Sequence, residues 1–96
     1  MNIEKHTADR VTTIVLEGWL DTRAAPELEE VLEELPPDTE SIIFECKKLE
    51  YISSSGIRQI IVAYKRVKGN LTLKNLSEEI LRVLEVTGIA DWINME

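Results

Sequence analysis

The sequence predicts one α/β domain built on a largely parallel sheet. Three observations carry that expectation. Runs rich in β-branched residues alternate with segments of helical periodicity, and strands separated by helices require crossovers between parallel neighbours. Glycine, proline and hydroxyl residues punctuate every change from one type of segment to the other. No repeat, linker or low-complexity stretch interrupts the 96 residues, a length that supports one modest core without disulfides.

A short strand is expected near residues 2–7, and Val11-Thr12-Thr13-Ile14-Val15-Leu16-Glu17 reads as a second. Gly18-Trp19-Leu20-Asp21 breaks that run, and Thr22 is placed to cap the first helix. Leu28, Val31, Leu32 and Leu35 recur at helical spacing and predict an amphipathic helix over 23–35. Pro26 is tolerated in its first turn, and Pro36-Pro37-Asp38 stops it. Ser41-Ile42-Ile43-Phe44-Glu45-Cys46 is a continuous apolar run, expected of a strand covered on both faces. Ile57, Ile60, Ile61 and Tyr64 return to helical spacing and end near Gly69; Asn70 to Lys74 then alternates as a short strand. Ser77 caps a last helix that carries Glu78 and Glu79 in its first turn and ends at Gly88. The order is β-β-α-β-α-β-α. Residues 89–96 have no clear local signal, beyond Trp92 packing back on the body.

Composition sets the boundaries of function. A net charge of −7 argues against sequence-independent nucleic-acid binding, which needs Lys and Arg against phosphates. No apolar run approaches the roughly 20 residues of a spanning helix, and residues 1–6 lack the apolar centre of a signal peptide. One cysteine offers no internal disulfide and fits a reducing compartment, the cytoplasm. The acids Glu27, Glu29, Glu30, Glu33 and Glu34 lie in one helical segment, as a solvated face or as a docking surface for a basic partner.

Catalysis is poorly provided for. His6 is the only histidine and sits in the first, edge-like strand, so the serines have no evident base. Neither G-x-S-x-G nor a Walker loop is present, and one Cys with one His gives no zinc spacing. No cofactor, metal or small-molecule substrate is expected. Cys46, at the end of an apolar strand, reads as a small buried hydrophobe. Lys47 and Lys48 read as a solvated turn, with anion anchoring as the alternative.

The most informative stretch is Ser53-Ser54-Ser55-Gly56-Ile57-Arg58, between an apolar strand and a helix. A helix start leaves backbone N–H groups unpaired. Hydroxyls there either cap those donors or offer a phosphorylation site at the positive end of the helix dipole. Asp21 comes after a strand at the sheet edge where functional loops gather, and serves either turn chemistry or contact with a partner. The loops after residues 17 and 46 and after Leu73 are expected to converge at one end of the sheet. That would bring Asp21 beside the serines on a shallow polar surface suited to a protein partner. Trp19 and Trp92 are candidate core or interface aromatics.

Four motifs in this order resemble the STAS domain, shared by bacterial anti-sigma-factor antagonists and the cytoplasmic ends of sulfate transporters. Gly18-Trp19-Leu20-Asp21 resembles its Gly-x-Leu-Asp after the second strand. Ile42 to Glu45 and then Leu49-Glu50-Tyr51-Ile52 resemble its apolar strand and the lead into the central loop. Ser53-Ser54-Ser55-Gly56-Ile57 resembles the Asp-Ser-Ser/Thr-Gly-Leu phosphorylation loop, and Val86-Thr87-Gly88-Ile89 the late Ser/Thr-Gly-Leu element. The resemblance covers nearly the whole chain. It implies a mixed, largely parallel sheet with helices packed against it, a single domain over 1–96 and no catalytic activity.

The same resemblance implies an anti-sigma-factor antagonist. Unphosphorylated, it would bind an anti-sigma factor that is also its serine protein kinase, with no membrane insertion and no direct nucleic-acid contact. Residue by residue, the phosphorylated serine falls on Ser54, ahead of Ser55 and Ser53, and partner contact falls on Asp21, Ser53, Ser54, Ser55, Gly56 and Arg58. Ser53 stands where phosphorylated members carry aspartate, and Arg58 places a cation within reach of a phosphate. The alternative is a STAS accessory subunit of an ABC-type lipid transport system, binding its ATPase without phosphorylation. An enzyme with serine nucleophiles is a remote third.

Overall fold

The computed structural model describes residues 1–96. Strands β1 (Asn2–Ala8) and β2 (Val11–Leu20) form an antiparallel hairpin. Its two-residue turn, Asp9-Arg10, has both φ angles positive at 52° and 68°. Such a turn matches the twist of the strands it joins. Arg10 also anchors the segment before the next strand, since its carbonyl accepts from the Glu40 and Ser41 N–H groups.

Helix α1 (Ala25–Glu33) leads to strand β3 (Ser41–Ile52), helix α2 (Ser54–Arg66), strand β4 (Leu71–Lys74) and helix α3 (Glu78–Val86). A single 3₁₀ turn (Ile89–Asp91) and a two-residue strand β5 (Asn94–Met95) close the chain. The sheet order is β1-β2-β3-β4-β5, with every pair after the hairpin parallel. The mixed, largely parallel sheet and the element order are those the sequence predicts. The final turn and strand lie where local signals fail: β5 exists only by pairing with β4. Trp92 packs edge-on against Tyr64, ring centroids 5.3 Å apart, and remains about half exposed.

All three helices share one face of the sheet. Ile14, Leu16, Ile42, Phe44, Leu71 and Leu73 point into a single core of 21 buried residues with Leu28, Leu32, Ile60, Ala63, Ile80 and Leu84 of the helices. Each such fully buried side chain contributes about 1.5–3 kcal/mol. The intervening Thr13, Val15, Ile43, Glu45, Thr72 and Lys74 are only partly covered. The expected two-sided cover of Ser41–Cys46 is thus corrected: the strand alternates, and its second face has no helix over it. No helix is long and apolar enough to cross a membrane.

Strand β3 is twice as long as its apolar run suggested. Beyond Cys46 it continues through Lys47 and Lys48 to Ile52, paired with β2 alone through two register shifts. Each shift resets the alternation of inward and outward side chains, so Lys47-Lys48 looks like a turn while lying within a strand. Lys48 is occupied by an ion pair with Glu17 at 3.6 Å.

Candidate functional site

Strands β2 and β3 end together, with Leu20 opposite Ile52. One more rung, from the Ser53 N–H to the Leu20 carbonyl at 2.9 Å, closes the pair before the chain turns into α2. That rung holds the Asp21 turn and the serine loop side by side, as the convergence of loops predicts. The third loop does not join them. Lys74 is level with Glu45, seven residues before Ile52, or about 23 Å back along the strand. Strand β4 stops short because β3 runs on past it.

The three serines have different roles. Ser53 is the helix cap: its backbone is extended, its Oγ accepts from the Gly56 N–H at 3.2 Å, and its carbonyl accepts from Ile57 at 2.9 Å. Ser54 is the first helical residue and the one exposed serine of the three; Ser55 is partly buried. The Ser54 and Ser55 N–H groups precede any intrahelical acceptor and face no other partner. The choice between cap and free hydroxyl therefore resolves position by position, with Ser53 as cap and Ser54 as the available nucleophilic oxygen.

Gly56 fixes the distance between the two loops. A Cβ there would lie 2.7 Å from both Cγ and the carbonyl oxygen of Leu20, and 3.0 Å from Cγ1 of Ile52. Only a bare backbone lets the first turn of α2 rest on the end of β2. Arg58, one turn beyond Ser54, is exposed and has no ion pair.

Asp21 performs the capping assigned to Thr22. Its Oδ1 accepts from the N–H groups of Arg23 at 3.1 Å and Ala24 at 3.0 Å, and its carbonyl accepts from Ala25 at 2.9 Å. Thr22 is exposed and caps nothing. The turn over 21–24 also explains why α1 starts at Ala25 rather than at residue 23. The second carboxylate oxygen remains at the surface, in a shallow depression shared with Met1, Trp19, Arg23 and Glu27.

One aromatic feature was not anticipated from the sequence. Tyr51 lies opposite Trp19 in register, their ring centroids 5.0 Å apart, and the two are 43% and 56% exposed. The signal was parity: each precedes a core residue, Leu20 or Ile52, and so faces the other way. Met1 completes this end, its Cα 3.6 Å from the position a Cβ on Gly18 would take.

The remaining reactive groups lie elsewhere. His6 pairs with Thr13 across the hairpin, seven residues from Leu20, and lies 3.6 Å from Glu4. Cys46 is buried, its thiol pushed up to about 12 by loss of solvent and by the Glu45 charge.

This geometry, a mixed sheet with a serine-capped helix start packed on a Gly-x-Leu-Asp turn, defines a family. The STAS domain model matches residues 2–96, and the chain belongs to the STAS domain family. Across 99% of its length it is 31% identical to the anti-sigma-B factor antagonist of Staphylococcus aureus (strain NCTC 8325), covering 92% of that protein. Its fold is similar to the anti-sigma factor antagonist SpoIIAA in its unphosphorylated form, with a TM-score of 0.73 at 17% identity over 99% of this chain and 87% of that one. The phosphorylated form of Bacillus SpoIIAA gives 0.68 at 17% identity, over 99% and 91% of the two chains. At that identity the likeness is one of fold.

Proposed function

We propose that this chain is an anti-sigma factor antagonist, a single STAS domain whose docking surface is switched off by phosphate on Ser54. The observation that carries the reading is the division of labour in the serine loop: Ser53 is engaged as the cap, while Ser54 is exposed, free and central. The partner is an anti-sigma factor that also acts as the serine kinase. Its contact surface comprises Asp21, Ser53, Ser54, Ser55, Gly56 and Arg58. The 31% identical relative bears the antagonist name over nearly its full length, which ranks this reading above the transport-accessory one. The chain itself performs no chemistry, since His6 is far from the hydroxyls, and it works in the cytoplasm beside its partner.

Electrostatics explains how one group can switch the surface without melting it. A phosphate adds about −1.5 to −2 charge at pH 7. At the start of α2 it meets the unpaired Ser54 and Ser55 N–H groups, with Arg58 one turn away. The domain therefore tolerates it, and SpoIIAA retains this fold in both forms. In a complex, the same charge would have to shed its water at the centre of the interface, which costs far more than it returns.

The test is incubation with the anti-sigma factor kinase of the same organism and ATP, then phosphopeptide mass spectrometry and binding measurements. We expect phosphate on Ser54, an affinity loss of at least about 100-fold (~2.7 kcal/mol), and an unchanged circular dichroism spectrum. Ser54→Ala should bind continuously. Phosphate confined to Ser53 or Ser55 would overturn the site, and phosphate on none of the three would favour the transport-accessory reading.

A further inference from the structure

Helix α1 is acidic without compensation. Its sequence from Ala25 to Glu33 contains four glutamates and no basic residue, and none of the protein's five ion pairs involves an α1 acid. Between α1 and α2 lies a cleft of about 340 Å³ lined by Glu29, Leu32, Glu33, Gln59, Val62 and Arg66. Its lining combines an apolar part, buried Leu32 and exposed Val62, with the two carboxylates.

Gln59 singles this cleft out from an ordinary solvated face. It is 6% exposed, and its Nε2 donates to Glu29 Oε2 at 3.2 Å. That bond fixes which end of the amide is which. The other end, Oε1, is the one buried side-chain polar atom without a hydrogen-bond partner. Buried carbonyl oxygens are ordinarily paired, so the cleft lacks a donor. Arg66 does not supply it, because its Nη2 donates to the Pro36 carbonyl at 3.0 Å.

What is missing is therefore a long side chain with an apolar stem and several donors at its tip. We propose that the α1–α2 cleft is a docking site for one arginine side chain carried by a partner protein. The methylene stem lies along Leu32 and Val62. The guanidinium meets the Glu29 and Glu33 carboxylates and, after a small rotation of the Gln59 amide, its orphaned oxygen. Arginine suits the cleft better than lysine because its planar fork presents donors to several acceptors at once. The cleft occupies later turns of both helices than the serine loop does, so it is independent of phosphate on Ser54.

The test is titration of the ¹⁵N-labelled protein with N-acetyl-arginine amide, with N-acetyl-norleucine amide as a stem without charge. At up to about 20 mM, a contact of millimolar Kd saturates. We expect saturable shifts at the Gln59 side-chain amide and at the Glu29, Glu33 and Val62 amides, and none with norleucine. Gln59→Leu and the exposed Glu33→Lys should each weaken the response at least about 10-fold. Gln59→Leu should melt no lower than the parent, since it removes the unpaired oxygen. Shifts spread equally over all acidic segments, or a response unchanged in both variants, would overturn the proposal, as would no saturable response at all. Glu33→Lys keeps the test decisive if the core variant fails to fold.

Discussion

Helices α2 and α3 begin with the same chemistry and are used differently. Ser53 Oγ accepts from the N–H three residues on at 3.2 Å, and Ser77 Oγ does the same at 3.2 Å. The difference lies in the first helical turn. In α3 it carries Glu78 and Glu79, which place negative charge at the positive end of the dipole. In α2 it carries Ser54, Ser55 and Gly56 and no acid. One helix start is electrostatically complete, while the other is capped but left uncharged. A capping serine therefore neither supports nor excludes a switch; the residues at the next two positions decide.

The largest effect that would break this comparison lies at the third helical position. In α3 it is Ile80, whose side chain is part of the core, whereas in α2 it is Gly56, whose missing side chain is the point. Alanine normally gains about 1 kcal/mol over glycine in a helix. At Gly56 the 2.7 Å approach to the Leu20 backbone should outweigh that gain, for a net loss of about 1–3 kcal/mol. Urea denaturation of Gly56→Ala checks the sign: a raised midpoint would mean the two loops are not held by this contact.

The capping equality is the next test. Ser53→Ala and Ser77→Ala should each cost about 1 kcal/mol, and equilibrium unfolding should find them within a few tenths of each other. A much larger loss at Ser53 would show that the loop depends on more than the cap. Smallest is the charge difference. Ser54→Asp should stabilise α2 by about 0.3–1 kcal/mol, and Glu79→Gln should destabilise α3 by a similar amount. Both effects should fade as salt is raised, which thermal melts at two ionic strengths would show.

Much of this was legible in the chain because the signals were local. Ser77 and Gly88 bound α3 as expected, and the spacing of Leu28, Leu32, Ile60 and Tyr64 found the helices that cover the sheet. The misses share a different cause. The extension of β3 through Lys47 and Lys48 depends on pairing with β2 across two register shifts, so no alternation survives in the sequence. Strand β5 is two residues long and exists through its partner. Asp21 and Thr22 are both good capping residues; only the turn geometry selects Asp21. In the candidate site, the neighbourhood of Asp21 and the serines came from topology, but the separate duties of Ser53 and Ser54 required atomic positions.

The packing of Met1 over Gly18 has a practical side. Strand β1 delivers Met1 to the rim that holds Trp19 and Asp21. The last residue instead bonds to Leu73 and Asn75, beside the shorter strand β4. An affinity tag or fluorophore fused ahead of Met1 would crowd the Asp21 turn and imitate a weakened partner contact. The same label attached after Glu96 would stand well clear of it, so the C-terminal side is where this protein should be tethered for any interaction measurement.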